Sequence, residues 1–106
     1  SLVGSEMCIR DSTKTADGMV SLSVYMHTGA IGGNAGTWWT AGTIPEGYRP
    51  NSTVYGTGMV CGDGWLNAVP TAFMISNGLL YLYGQNSAAT MLVINMTYVA
   101  MGSVVA

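Results

Sequence analysis

The chain has 106 residues, a net charge of −2 and a charged fraction of 8%, against about 25% in an ordinary globular domain. With 49% hydrophobic residues and 15 glycines it is too apolar to be disordered, and it is long enough for one domain burying roughly 60–65% of its unfolded surface. No basic stripe exists to displace counterions, which excludes nucleic acid and polybasic membrane attachment.

Ser1 to Ser12 have neither a helical nor a strand period, and they hold Glu6, Arg10 and Asp11 out of only eight charged residues. The string SLVGSEMCIRDS closely resembles the translation of a sequencing adapter. That resemblance implies a non-native segment at 1–12, which leaves a single domain over 13–106, and because Ser1 is not a methionine this domain is expected to be the C-terminal part of a longer chain. Cys61 is then the only cysteine left, and no Cys8–Cys61 disulfide is expected. The opening has no basic region followed by an apolar core, so no signal peptide is expected.

Asp17-Gly18 signals a turn, after which Val20, Leu22, Val24 and Met26 alternate with Ser21, Ser23, Tyr25 and His27. That period of two predicts a half-buried strand. The glycine-rich run 29–36 fits neither the dinucleotide fingerprint nor the P-loop and reads as a connection. Thr37 to Thr43 predicts a second strand. Its adjacent Trp38 and Trp39 must face opposite ways, one into the core.

The corner Thr43-Ile44-Pro45-Glu46-Gly47-Tyr48-Arg49-Pro50 follows. Two prolines fix φ near −65° and push Ile44 and Arg49 towards extended backbone, while Gly47 can supply the positive φ of a tight reversal. Glu46 and Arg49 are expected to pair locally or to bridge to a neighbouring subunit. Thr53 to Cys61 predicts a third strand, with Gly56 and Gly58 marking a bulge or a close backbone approach. Gly62-Asp63-Gly64 is a turn beside Trp65.

Asn77-Gly78 between apolar alternations predicts a type I′ hairpin. It sets Ser76 against Leu79, Ile75 against Leu80, Met74 against Tyr81, Phe73 against Leu82 and Ala72 against Tyr83. Phe73, Ile75, Leu80 and Leu82 are then core, and Pro70 marks an edge or an unpaired entry. Met91 to Val99 closes the domain as a strand apolar on both faces, hence central. The charge-free stretch 88–106 is long enough for a membrane helix, but Thr90, Asn95 and Thr97, β-branching and the lack of basic flanks predict no membrane insertion. Short strands separated by turns predict an all-β antiparallel fold, a sandwich or a barrel, of which a jelly-roll-like antiparallel β-sandwich is the form expected.

Catalytic constellations fail for want of residues. His27 is the only histidine, and no nucleophile-elbow sequence accompanies it. Asp17, Glu46 and Asp63 sit in separate turns, and Cys61 with His27 cannot complete a metal site, so no catalysis, metal or cofactor is expected. Cys61 reads as a small buried hydrophobe. Aromatic side chains remain in excess. Trp65, Tyr81 and Tyr83, with Asp63 and Asn67 as hydrogen-bonding neighbours, are the candidate ligand-binding residues, since sugars bind aromatic faces edged by uncharged or acidic polar groups.

Gly-Thr-Ile-Pro-Glu-Gly-Tyr-Arg-Pro at Gly42 to Pro50 resembles the Gly-Thr-Leu-Pro-Glu-Gly-Tyr-Arg-Pro signature of phage tail proteins. These are the C-terminal receptor-binding heads of tail-fibre and baseplate proteins in phages and prophages of gut bacteria. A Val/Leu strand, a Trp before the motif, a Ser-Asn-Gly hairpin and Asn95 to Val99 fit the same order. The resemblance implies a β-sandwich head, a homotrimer, located at the virion tail tip and touching host-envelope polysaccharide or another surface receptor. A purely structural trimerisation cap is the alternative it leaves open.

Overall fold

The computed structural model describes residues 7–27, 31, 36–84 and 89–100, with side chains from Lys14 onward. Seven strands account for most of it: β1 (Met7–Lys14), β2 (Met19–His27), β3 (Trp38–Thr43), β4 (Val54–Gly62), β5 (Leu66–Ser76), β6 (Leu79–Tyr83) and β7 (Met91–Val99). All pairings are antiparallel, in the order β1-β2-β7-β4-β5-β6-β3. The chain is therefore all-β and antiparallel, as the alternation predicts. One feature differs from a sandwich of two separate sheets: the strands form a single sheet curled into a half-barrel.

The reason lies at β4. Its C-terminal half pairs with β7 from Gly58↔Ile94 to Cys61↔Met91, whereas its N-terminal half, Val54 to Thr57, has no β7 partner. There the two strands part. The β1-β2-β7 wing and the β4-β5-β6-β3 wing stay hydrogen-bonded at one end and face each other at the other, which gives sandwich-like burial without a second sheet. Both β4 glycines make this possible. A Cβ on Gly58 would lie 2.5 Å from the Phe73 ring and 2.6 Å from Val93 O, and one on Gly56 would lie 3.1 Å from the Met96 side chain. The predicted close backbone approach is thus realised, with large side chains filling the space above bare Cα atoms.

The concave face is the core. Register carries one row from β2 to β7, Val20↔Tyr98, Leu22↔Met96, Val24↔Ile94 and Met26↔Leu92, and every member is buried. The other wing supplies Val60, Phe73, Ile75, Leu80 and Leu82, with Trp39 packed against them and Trp38 on the opposite face. The hairpin pairs at 73–76 and 79–82 are those set by Asn77-Gly78, whose φ values of 51° and 79° are the two positive angles a type I′ turn requires. Burying Phe73 alone stabilises by roughly 1.5–3 kcal/mol.

β7 is central, as its two apolar faces suggest. Its outer row is covered towards the ends, where Met91 is buried and Val93 and Val99 are half-buried, while Asn95 and Thr97 between them are exposed. β1 takes the free edge of β2 from Met7 to Lys14, so the backbone of 7–12 pairs within the fold although its sequence has no period. An edge position explains this: ladder hydrogen bonds are indifferent to side chains. At the other wing, β5 runs past the end of β6. From Leu66 to Ala72 it pairs only with β4, and Pro70, opposite Met59, lies in this one-sided stretch, so of the two expected positions it takes the edge.

At the corner, Tyr48 N donates to Pro45 O at 3.2 Å and Gly47 has φ +87°, closing a tight turn. Lys14 Nζ donates to Gly47 O at 2.7 Å, and the Tyr98 hydroxyl donates to Tyr48 O. The local Glu46–Arg49 pair does not form. Arg49 turns inward instead, its Nε donating to Ile44 O at 2.7 Å, because the extended backbone before Pro50 carries it over the hairpin turn at Gly78. Residues 101–106, read from the sequence as a tail, lie outside the described residues.

Candidate functional site

The convex face of the sheet carries Ser, Thr and Asn together with an excess of exposed aromatic groups. The sequence-predicted site residues fall on it in two separate places. Asp63 and Trp65 belong to the 3-10 turn Asp63–Trp65 between β4 and β5. Tyr81 and Tyr83 lie on β6, on the other wing. Asn67, the second residue of β5, has φ +56° and is exposed, close to the first group in sequence. The five residues do not form one site.

In the first group Trp65 itself has φ +66°, a left-handed conformation unusual for a bulky side chain. The turn folds its indole back over the outer ends of β2 and β7, with ring centroids 6.5 Å from Tyr25. A cavity of about 390 Å³ opens there, lined by Ser23, Tyr25, Trp65, Met91 and Val93. Alternation puts Tyr25 and His27 side by side on the outer face of β2, and register sets Val93 and Met91 opposite them. Trp65 remains 54% exposed, so its face is open to a ligand.

Beside the cavity, His27 Nε2 lies 2.8 Å from Asp63 Oδ1, and Thr90 Oγ1 donates to the same oxygen at 2.7 Å. Those two hydrogen bonds, Thr90 first and His27 second, hold the Asp63 carboxyl below its ordinary value. The cluster ties the turn to β2 and to the start of β7, and so fixes where Trp65 sits. Its order is wrong for nucleophilic catalysis, since the hydroxyl bonds the carboxylate and not the imidazole. Sequence reasoning missed Tyr25 and His27 as neighbours of Trp65. Strand alternation put both on the outer face, but nothing local shows which turn folds over them.

The second group forms an aromatic patch. Trp38 packs edge-on to Tyr83 at 5.1 Å between centroids and lies 6.4 Å from Tyr55, which is 70% exposed. Ladder neighbours place Tyr81 between Met74 and Thr40 in the same region. Edge-to-face packing leaves fewer ring faces free here than at Trp65.

Cys61 is buried, and burial pushes its thiol up, as for a small hydrophobe. Among the described residues no three His, Cys, Asp or Glu side chains come together in a way that could hold a metal ion. No helix among them is long and apolar enough to cross a membrane, and most of the stretch considered for one is β7. No protein-family model, curated protein or solved structure matches the chain.

Proposed function

We propose that this chain is an attachment domain at the tip of a phage tail fibre or baseplate, binding host-envelope saccharide at the Tyr25–Trp65 cavity without catalysis. The observation that carries the reading is Trp65, held in a left-handed turn with its indole over a cavity and a fixed carboxylate nearby. An aromatic face for C–H stacking, edged by Asp63, His27 and Ser23 as hydrogen-bonding groups, suits a neutral pyranose. The corner motif at Gly42 to Pro50 supports the tail assignment, and with it a homotrimer in the virion. Glycan-array binding by the 106-residue chain tests it: binding to a restricted set of envelope polysaccharides, abolished by Trp65→Ala, is the expected result. Absence of binding across polysaccharides of gut bacteria overturns it.

One observation favours the structural cap instead. Leu66 is 64% exposed and Val69 is also open, on the stretch of β5 that lacks a second partner strand. Such an edge suits contact with another copy. Sedimentation of Trp65→Ala and Tyr81→Ala separates the readings. Loss of the oligomer points to a cap, and loss of adsorption with the oligomer intact points to recognition.

A further inference from the structure

We infer that the proline corner carries a second binding site, a pocket for the carboxylate of an acidic sugar. A cavity of about 390 Å³ lies between the corner and the hairpin turn, lined by Arg49, Asn51, Ser52, Thr53 and Asn77, with Pro50 and Gly78 completing the wall. It is distinct in place and chemistry from the Trp65 cavity, sharing no residue with it.

Arg49 is the centre of it. Arg49 is half-buried, and no carboxylate of the described residues lies within 4.0 Å of its guanidinium, the one ion pair among them being His27–Asp63. Removing a cation partly from water without a counter-ion is unfavourable, and an anion in the adjacent cavity would relieve that. The fold also sets the direction of approach. Nε is committed to Ile44 O at 2.7 Å, and the guanidinium lies against Gly78, where an added Cβ would come within 2.8 Å of it. With the Nε side used, the fork that remains is the pair of terminal nitrogens, which matches the two oxygens of a carboxylate.

The rest of the lining is polar and open to solvent. The side chains of Asn51, Ser52 and Asn77 have no hydrogen-bond partner among the described residues, and only Thr53 is engaged, with Ser76 at 2.9 Å. Two amides and a hydroxyl around a cationic fork supply donors and acceptors for ring hydroxyls. A cavity of this volume exceeds what a bare inorganic anion fills and accommodates a monosaccharide. A uronic acid therefore fits the charge, the fork and the volume together. This assignment does not depend on the Trp65 cavity.

The test is a titration of the ¹⁵N-labelled 106-residue chain with sodium glucuronate, alongside glucose and inorganic phosphate. Glucuronate is expected to shift the amides of Ser52, Thr53 and Gly78 and the Arg49 Nε–H saturably, with dissociation constants in the millimolar range, while glucose leaves them in place. Asn51→Asp puts a negative charge on the rim without touching Arg49 and is expected to weaken binding tenfold or more. Arg49→Gln is expected to abolish binding, and Asn51→Asp keeps the test decisive if that variant does not fold. Trp65→Ala is expected to leave the titration unchanged, so failure here and failure of the saccharide reading at Trp65 are separate results. No saturable glucuronate shift, equal shifts with glucose, or an affinity for phosphate matching that for glucuronate overturns the assignment, as does an Asn51→Asp dissociation constant within twofold of the parent.

Discussion

Replacing Tyr98 by Phe isolates the contact that pins the closing strand to the corner. The Tyr98 ring is 6% exposed on the concave face and its hydroxyl donates to Tyr48 O. At neutral pH the variant loses that hydrogen bond, worth about 1 kcal/mol, or a fall of about 4–8 °C in Tm for a domain of this size. Alkaline pH adds a second effect. Burial pushes the Tyr98 hydroxyl up from 10.0 to about 12. Between those values the unfolded chain has released the proton and the folded chain has kept it, so stability is fully present below pH 10 and is lost as pH rises to 12. Two units correspond to at most ~2.7 kcal/mol, reduced to about 2 kcal/mol because the half-exposed turn that accepts the bond is partly screened by water. The protein with Tyr98 should therefore be about 1 kcal/mol more stable than Tyr98→Phe at pH 7 and about 1 kcal/mol less stable at pH 12. The two curves should cross in between. Urea denaturation of both chains from pH 7 to 12 measures this, and other titrating groups drop out of the difference. A difference that stays constant with pH, or none at pH 7, refutes the reasoning.

Gly58→Ala should destabilise by about 1–3 kcal/mol, because its Cβ meets the Phe73 ring at 2.5 Å and the fixed Val93 carbonyl at 2.6 Å. A loss below about 0.5 kcal/mol in urea would show that β4 can yield there. Asp63, held low by Thr90 and His27, should titrate with a midpoint under 3.8 when followed by its carboxyl ¹³C shift. Its stabilisation is then present above that pH and lost as pH falls further, and Asp63→Asn should remove this part of the acid dependence. A midpoint at or above 3.8 contradicts the hydrogen-bond geometry. Trp65→Ala should reduce saccharide affinity tenfold or more, with a stability change under about 1 kcal/mol by urea denaturation, since more than half of the ring faces water.

What the residues announce in advance is decided by range. Asn77-Gly78 specifies two positive φ angles locally, and the register of β5 on β6 follows from them residue by residue. The same holds for the inward face of β2, which repeats every second position. Longer-range features are invisible at that scale. Whether the strands make two sheets or one curled sheet depends on β4 joining β7 only from Gly58 onward, and a glycine pair reports a close approach without saying what approaches. Arg49 illustrates the same limit. Its spacing from Glu46 suggests a local pair, but the extended residue before Pro50 carries it to a hairpin turn twenty-nine positions further along the chain. Met7–Lys14 shows the converse, a strand formed by the edge it meets and not by its own pattern.

The division of labour between the two faces decides how the proposed sites can be examined. Every fully buried large side chain lies on the concave side or packs against it, whereas Tyr25, Trp65, Asp63 and His27 stand on the convex side and Asn51 and Asn77 at one end. Stability at the level of several kcal/mol thus resides in groups that no ligand can touch, and the ligand-facing groups contribute little to it. A scaffold built this way lets exposed residues change while the curl of the sheet stays fixed. Substitutions at the Trp65 cavity and at the Asn51 rim should therefore be separable from folding, and from each other, with ΔΔG values that add. Arg49 is the exception, because its Nε holds the corner while the same residue lines the cavity. A variant there that unfolds the chain and a variant at Asn51 that only weakens binding would together mark it as the point where scaffold and site meet.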